Sequence, residues 1–151
     1  MWRVARDSQV LDVNPSYAYL LWCRDFAETS AVARLGDDVV GFVSGYLRPS
    51  TPETVVVWQI AVDEQARGRG VAGALLDNLV ERLDGRANRL ETTITADNVA
   101  SQRMFAALAR RLGCTLDRSP LFVDDLFPDQ HDAEDLYRIG PWQTPPMNGA
   151  K

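Results

Sequence analysis

Two glycines and two arginines stand at the predicted start of a helix, in the stretch "VDEQARGRGVAGALLDNL" (62–79). The first amide groups of a helix have no partner within the helix and carry partial positive charge. Gly68 and Gly70 would allow a ligand to approach this backbone closely, and Arg67 and Arg69 add positive charge. The pattern indicates a cradle for phosphate groups. The glycines alone are equally compatible with a plain connection whose arginines are solvated.

The run "GRGVAG" (68–73) also matches the G-x-G-x-x-G fingerprint of dinucleotide-binding folds. That fingerprint should follow its strand almost directly, yet five residues (63–67) intervene here. An antiparallel hairpin precedes the motif, where a doubly wound fold would have strand–helix–strand units. A nicotinamide or flavin enzyme is therefore the weaker interpretation.

Hydrophobic periodicity and turn residues predict the elements that position this loop. They predict helix and turn over 1–12, helices over 16–26, 71–83 and 98–113, and strands over 29–35, 39–47, 54–62, 88–95 and 136–140. The strand at 54–62 is nearly continuously apolar and is expected to be buried on both faces. The stretch 116–135 is predicted to be mostly loop. We expect one mixed α+β domain over 1–141, followed by a disordered Pro-rich tail over 142–151.

Composition limits the possible partners of the chain. The net charge is −5, with 15 arginines and a single lysine, which argues against general binding of nucleic acid. Cys23 and Cys114 form neither a metal-binding spacing nor a disulfide framework, so no metal is expected. With no signal peptide and no long apolar run, we expect a soluble cytoplasmic protein without a membrane partner.

A longer pattern surrounds the glycines. Gln65-x-x-Gly68-x-Gly70 follows a strand ending in "AVD", and Asn98 stands at the start of the next helix. Over about residues 29–113, this order resembles the acetyl-CoA site of the GNAT acyltransferase superfamily. The resemblance implies the GNAT fold, a mixed central sheet flanked by helices.

The resemblance also implies roles for individual residues. Backbone amides of Gln65, Ala72 and the residues between them would bind the pyrophosphate of acetyl-CoA. Main-chain groups of Ile60 and Val62 would pair with the pantetheine arm, and Asn98 would contact the arm as well.

The chain departs from the GNAT pattern at two places. The family often has a tyrosine seven residues after the Asn, which protonates the leaving thiolate, but Phe105 stands here. The identity of the general acid is therefore open: a water could protonate the thiolate, or the thiolate could leave unassisted. In addition, residues 1–4 already indicate helix, so the first strand of the fold is missing. A chain extended upstream is expected to be more stable, because an incomplete sheet edge leaves backbone groups unpaired.

Three further stretches narrow the resemblance. They are "LDVNPSYAYLLWCRDF" (11–26), "FVSGY" with "VWQIAVD" (42–46 and 57–63), and "SPLFVDDLF" with "HDAEDLYRIG" (119–127 and 131–140). Together they resemble the L-2,4-diaminobutyrate acetyltransferases of ectoine biosynthesis, from residue 2 to about residue 141. The resemblance implies homodimers that move acetyl from acetyl-CoA to the 4-amino group of L-2,4-diaminobutyrate. Another enzyme cyclises the product to the osmolyte ectoine.

Such a substrate needs a carboxylate for its 2-ammonium group and a wall along its short chain. Asp12 could supply the carboxylate, although a turn aspartate is the simpler reading of its spacing. Tyr17 and Tyr19 cannot share one helix face, and Tyr17 is the better candidate for substrate binding. Trp58 would form the pocket wall beside the thioester, whereas a tryptophan on a buried strand is ordinarily a core residue.

We expect the residues that activate the amine to lie in the acidic stretch around His131, the single histidine of the chain. Glu134 would act as base or relay, with His131 as the alternative or as its partner; a solvated loop histidine is the plainer interpretation. Two other functions remain open at this point. The chain could acetylate another cationic amine, such as a polyamine, an aminoglycoside or a protein N-terminus, or it could bind acyl-CoA without catalysis.

Overall fold

A computed structural model describes residues 1–8, 11–129 and 131–143. The helices are α1 (Trp2–Ser8), α2 (Ser16–Asp25), α3 (Val71–Arg82) and α4 (Val99–Leu112). The strands are β1 (Ala31–Leu35), β2 (Asp38–Arg48), β3 (Thr51–Val62), β4 (Arg89–Thr95), β5 (Leu116–Phe122) and β6 (Glu134–Ile139). Single 3-10 turns lie at Ala27–Thr29, Glu64–Ala66 and Asp124–Leu126.

The six strands form one sheet in the order β1-β2-β3-β4-β6-β5. The β3–β4 pair is parallel, and the other described pairs are antiparallel. This mixed sheet with helices on both faces confirms the predicted α+β class. Within the described ranges, each helix is too short or too polar to cross a lipid bilayer.

Each face of the sheet has its own apolar core. On one face, Leu76 and Leu79 of α3 and Leu108 of α4 pack with Val57 of β3. The smaller core joins α1 and α2 to the opposite face and consists of Val4, Ala5, Tyr19, Phe42 and Ala61. Burial of these aliphatic and aromatic side chains is the main stabilising term that holds the helices on the sheet.

The parallel strands β3 and β4 pair over only part of their length. Their register runs from Thr54 opposite Arg89 to Val56 opposite Glu91. Beyond that point β3 continues over 57–62 and β4 over 92–95 without further pairing between them. The two strands therefore diverge and leave a cleft, which we call the β3–β4 cleft.

A β-bulge lies on β3 where the cleft begins. Val57 pairs with Gly45 and Gln59 pairs with Ser44, so Trp58 is an extra residue with no partner of its own on β2. The bulge reverses the side-chain alternation, because Val57 faces the core under α3 while Gln59 contacts α2 on the other face. The prediction that 54–62 is buried on both faces is wrong at Trp58, which is 37% exposed.

The prediction of a loop over 116–135 is wrong at both of its ends. Residues 116–122 form the edge strand β5, and Glu134 and Asp135 already belong to β6. Pro120 and the charged residues around it make the sequence of β5 look like a loop. An edge strand tolerates proline because one side of its backbone needs no partner.

The predicted boundary between domain and tail is also displaced. Trp142 falls in the tail that the sequence predicts, yet it is 6% exposed and belongs to the larger core. Its backbone N–H donates to the carbonyl of Asn88, just before β4. The remainder of the predicted tail, 144–151, lies outside the described residues.

Candidate active site

The glycine loop has the geometry that the sequence predicts for a phosphate cradle. Gly68 and Gly70 have φ angles of 72° and 76°, in the left-handed region that favours glycine. Gly70 caps α3 without any side-chain hydrogen bond, so the first amide groups of the helix point outward without a side-chain acceptor. A methyl group added at either glycine would meet no atom within 4 Å, so the space above the loop is open.

A pocket of about 160 Å³ lies on this loop. Its lining consists of Val62, Ala66, Arg67, Gly68, Gly70, Val71, Ala72 and Gly73. Five of the residues predicted for the cofactor therefore meet in one concavity: Val62, Arg67, Gly68, Gly70 and Ala72. An exposed helix N-terminus with open space above it fits the pyrophosphate of acetyl-CoA.

The side chain of Arg67, beside the loop, donates hydrogen bonds to two backbone carbonyl groups of the protein. Arg67 donates from Nε to the carbonyl of Val62 at 3.2 Å and from Nη2 to the carbonyl of Ser8 at 3.5 Å. It therefore ties the loop to β3 and α1 in addition to supplying charge. Gln65 and Arg69 are exposed, so their side chains are accessible to a ligand on the loop.

The β3–β4 cleft leads away from the loop along the predicted path of the pantetheine arm. Ile60 and Val62 lie beyond the last paired residue of β3, so β4 does not occupy the backbone groups on that side. Asn98 caps α4, and its Oδ1 accepts a hydrogen bond of 3.1 Å from the Ser101 amide. Its observed role is structural, and contact with the arm stays a prediction.

Asp12 meets His131 and Glu134 although it lies 119 residues before His131 in the sequence; we call the three residues the acidic–histidine cluster. His131 Nε2 lies 3.0 Å from Oδ2 of Asp12 and 3.5 Å from Oε1 of Glu134. Its Nδ1 lies 2.7 Å from the backbone carbonyl of Asp132. Because both ring nitrogens face oxygens that accept hydrogen bonds, the network assigns a proton to each nitrogen.

The surroundings of His131 favour its charged form. The hydrogen bond to the Asp132 carbonyl is the largest influence raising the pKa of His131, partial burial opposes it, and the carboxylates of Asp12 and Glu134 raise the pKa further. The ring also stacks on Phe127, with centroids 4.3 Å apart. The side chain of His131 is 19% exposed, whereas that of Asp12 is 81% exposed, so the cluster opens to solvent through Asp12.

The cluster spans the β3–β4 cleft. Gln59 of β3 donates to the backbone carbonyl of Asp12 at 2.9 Å, which fixes the aspartate beside β3. Glu134 begins β6 and pairs with Thr95 at the end of β4. His131 thus connects a carboxylate on the β3 side with one on the β4 side.

Trp58 belongs to an aromatic group that β3 and α2 form together. Its ring lies 4.1 Å from that of Trp22 on α2, and Trp22 in turn lies 4.8 Å from Phe26. The buried Nε1 of Trp22 has no hydrogen-bond partner among the residues that the structure describes. The exposed part of Trp58 offers an apolar wall of the kind predicted for the acetyl end of the site.

The two tyrosines of α2 differ, as their spacing predicts. Tyr19 is buried and its hydroxyl donates to Oε1 of Gln59 at 2.9 Å. Tyr17 is 67% exposed, and within the described contacts it does not join the cluster around His131. Its role in substrate binding stays a prediction.

Three residues of the site were missed by sequence: Gln59, Trp22 and Phe127. Gln59 could have been noticed, because it is the one polar residue in the apolar run "VVVWQIAV" (55–62). Phe105 is 1% exposed and packs in the larger core. A buried phenyl ring therefore occupies the position where the GNAT pattern often has a tyrosine. Among the described residues, no group of three or more His, Cys, Asp or Glu side chains has an arrangement that could hold a metal ion.

Comparison with known proteins agrees with this geometry. Residues 2–109 match the Acetyltransferase (GNAT) family. An L-2,4-diaminobutyric acid acetyltransferase of Streptomyces coelicolor is 57% identical, over 93% of this chain and 85% of its own. Its counterpart from Marinococcus halophilus is 44% identical, over 94% of this chain and 83% of its own.

A solved structure gives the same result. The diaminobutyrate acetyltransferase of Paenibacillus lautus, in complex with L-2,4-diaminobutyric acid and coenzyme A, superposes with a TM-score of 0.88 at 35% identity. The match covers 93% of this chain and 86% of the other. The chain therefore belongs to the GNAT acetyltransferase family and, within it, to the L-2,4-diaminobutyric acid acetyltransferases.

Proposed function

We propose that this enzyme transfers the acetyl group of acetyl-CoA to the 4-amino group of L-2,4-diaminobutyrate, giving N4-acetyl-L-2,4-diaminobutyrate. The observation that carries the proposal is the acidic–histidine cluster across the β3–β4 cleft. It places two carboxylates, from Asp12 and Glu134, around one nitrogen of His131. Two carboxylates near the far end of an acetyl-CoA groove suit a short substrate that carries two ammonium groups.

Each member of the site has a distinct task in this reaction. Asp12 pairs with the 2-ammonium group, which selects the 4-amine by register along the chain. Trp58 walls the acetyl end and excludes water there, and desolvation lowers the pKa of the 4-ammonium group from its lysine-like value of about 10.4. Glu134, with His131 as partner or alternative, removes the proton so that the amine can attack the thioester carbonyl.

Phe105 stands, buried in the core, where the family often has a tyrosine, so the residue at this position cannot protonate the leaving thiolate. A thiol has an ordinary pKa of about 8.5, so its thiolate is a good leaving group. Protonation by water and departure without assistance are the two routes that this chemistry leaves open.

The proposal is tested by an acetylation assay with a panel of amines. Release of coenzyme A is followed with diaminobutyrate, ornithine, a polyamine, an aminoglycoside and a peptide N-terminus, and the acetylated nitrogen is identified by NMR. Diaminobutyrate should give the highest kcat/KM and the N4 product. Preference for another amine would assign a different substrate, and binding of acetyl-CoA without turnover of any amine would indicate a non-catalytic module.

The proposed product is the compound that a second enzyme cyclises to ectoine. The proposed function therefore implies a place in ectoine biosynthesis. We place the enzyme in the cytoplasm, with a small molecule rather than a nucleic acid or a membrane as its partner. Its two cysteines are free thiols, which suits a reducing compartment.

We further propose a homodimer. β5 is an edge strand, and the exposed apolar side chains Leu121, Phe122, Val123 and Leu126 lie on it and just after it. An exposed apolar edge favours association with a second copy. Phe122→Glu should shift the enzyme to monomer in light scattering. A wild-type monomer at micromolar concentration would contradict the proposal.

A further inference from the structure

The acidic–histidine cluster holds the ring of His131 between two carboxylates, and the hydrogen-bond network assigns a proton to each ring nitrogen. We propose that the protonated ring of His131 occupies the place that an ammonium group of the substrate takes, so that diaminobutyrate binding expels a proton from His131. This inference rests on the proposed function, since it concerns the same substrate site.

The first step is geometric. Nε2 of His131 lies 3.0 Å from an oxygen of Asp12 and 3.5 Å from an oxygen of Glu134. The 2-ammonium group that pairs with Asp12 and the 4-ammonium group that approaches Glu134 would need the oxygen atoms that the ring contacts, at similar distances. Two cations cannot share the pair without strong repulsion, so the second cation excludes the first.

The second step concerns the groups that face the ring. The charged side chains in contact are Asp12, from the turn before α2, and Glu134, from β6. From its own loop, the ring receives the Asp132 carbonyl on Nδ1 and the face of Phe127. The negative charge of two carboxylates is thus partly neutralised by one positively charged ring. An incoming ammonium group can supply the same positive charge in its place.

The third step is the fate of the proton. The N–H bond at Nε2 breaks, its electron pair stays on Nε2, and the proton passes to water. The Asp132 carbonyl keeps the other proton on Nδ1, which fixes the tautomer with a free electron pair on Nε2. That nitrogen changes from donor to acceptor and can receive a hydrogen bond from the substrate ammonium group. Glu134 is released from the ring and becomes available to the reacting amine.

Proton and substrate consequently compete for one site. While His131 is protonated in the free enzyme, substrate affinity should rise by up to about tenfold for each unit of pH increase. Once His131 is neutral in the free enzyme, its contribution to the pH dependence ends.

The direct test is NMR, because His131 is the single histidine of the chain. Its ring signals are titrated in the enzyme with coenzyme A, first without and then with saturating diaminobutyrate. The His131 pKa should fall by about one unit or more when the substrate is present. An unchanged or raised pKa, with substrate bound, would overturn the inference alone. Failure of diaminobutyrate to bind would overturn the proposed function together with it.

Calorimetry gives an independent readout. Diaminobutyrate binding is measured in two buffers of different ionisation enthalpy, and the difference yields the number of protons released. The wild type should release more protons than His131→Gln, which keeps a hydrogen-bond donor but cannot titrate. Any release that persists in the variant comes from the substrate amine. Equal release by both proteins would contradict the inference.

Discussion

The buried side chain of Gln59 connects Asp12 to the core. Its Nε2 donates a hydrogen bond of 2.9 Å to the Asp12 carbonyl, and its Oε1 accepts one of 2.9 Å from the Tyr19 hydroxyl. Gln59, which makes both hydrogen bonds, lies at the bulge of β3 directly after Trp58. The position of the exposed carboxylate therefore depends on a buried chain from α2 through β3.

Removing the hydroxyl of Tyr19 should weaken this chain. Tyr19→Phe leaves Oε1 of the buried Gln59 without its partner, which costs about 1–3 kcal/mol of the free energy of unfolding. The KM for diaminobutyrate should rise about fivefold, corresponding to about 1 kcal/mol, while the KM for acetyl-CoA stays unchanged. Thermal unfolding and steady-state kinetics measure the two effects. Thr54→Val, at a buried polar position earlier on β3, is the control: it should affect stability without changing either KM.

Charge at the glycine loop should decide acetyl-CoA binding. Gly68→Asp or Gly70→Asp places a carboxylate in the anion cradle and should abolish binding in calorimetry, a loss of at least about 100-fold. Asn at the same positions is the matched control, because Asn and Asp tolerate positive φ to a similar degree. The Asn variants should retain most of the affinity. Equal loss in the Asp and Asn variants would show that backbone geometry, rather than charge, is responsible.

A second control uses a remote glycine with the same conformation. Gly36, in the turn between β1 and β2, has a φ angle of 62° and open space around it. Gly36→Asp should therefore leave acetyl-CoA affinity unchanged.

The parts of the site that sequence predicts correctly are local. The positive φ angles of Gly68 and Gly70 follow from residue type beside a helix start. The prediction of Asp12, His131 and Glu134 as site residues depends on the family resemblance. The structure supplies what spacing could not, namely that His131 bridges the two carboxylates.

The features that sequence missed depend on pairing between distant strands. The bulge at Trp58 is defined by the partners of Val57 and Gln59 on β2, and the apolar run itself gives no sign of it. β5 is a strand because β6 pairs with it, although Pro120 and its charged neighbours favour a loop. In both cases tertiary pairing overrides local propensity.

The three charged or titrating members of the cluster should affect different kinetic constants. Asp12→Asn should mainly raise the KM for diaminobutyrate and weaken the choice of the 4-amine, because the counter-ion of the 2-ammonium group is lost. Glu134→Gln and His131→Ala should mainly lower kcat, by about 10²-fold or more for a lost general base. Steady-state kinetics and NMR of the products measure these effects. Full affinity and full 4-amino selectivity in Asp12→Asn would show that the roles are assigned wrongly.

The raised pKa of His131 predicts a pH-dependent contribution to stability. A histidine whose pKa is higher in the folded than in the unfolded state stabilises the fold below the unfolded value of about 6.5. That contribution is lost as the pH rises through the folded pKa. Asp12→Asn removes one of the carboxylates that raise the pKa, so it should lower the melting temperature more at about pH 5.5 than at about pH 8.5. Differential scanning calorimetry at the two pH values measures this. His131→Gln combined with Asp12→Asn is the control, because without the titrating ring the effect of Asp12→Asn should be the same at both pH values. An equal effect of Asp12→Asn at both pH values in the wild-type background would show that Asp12 does not stabilise the charged form of His131.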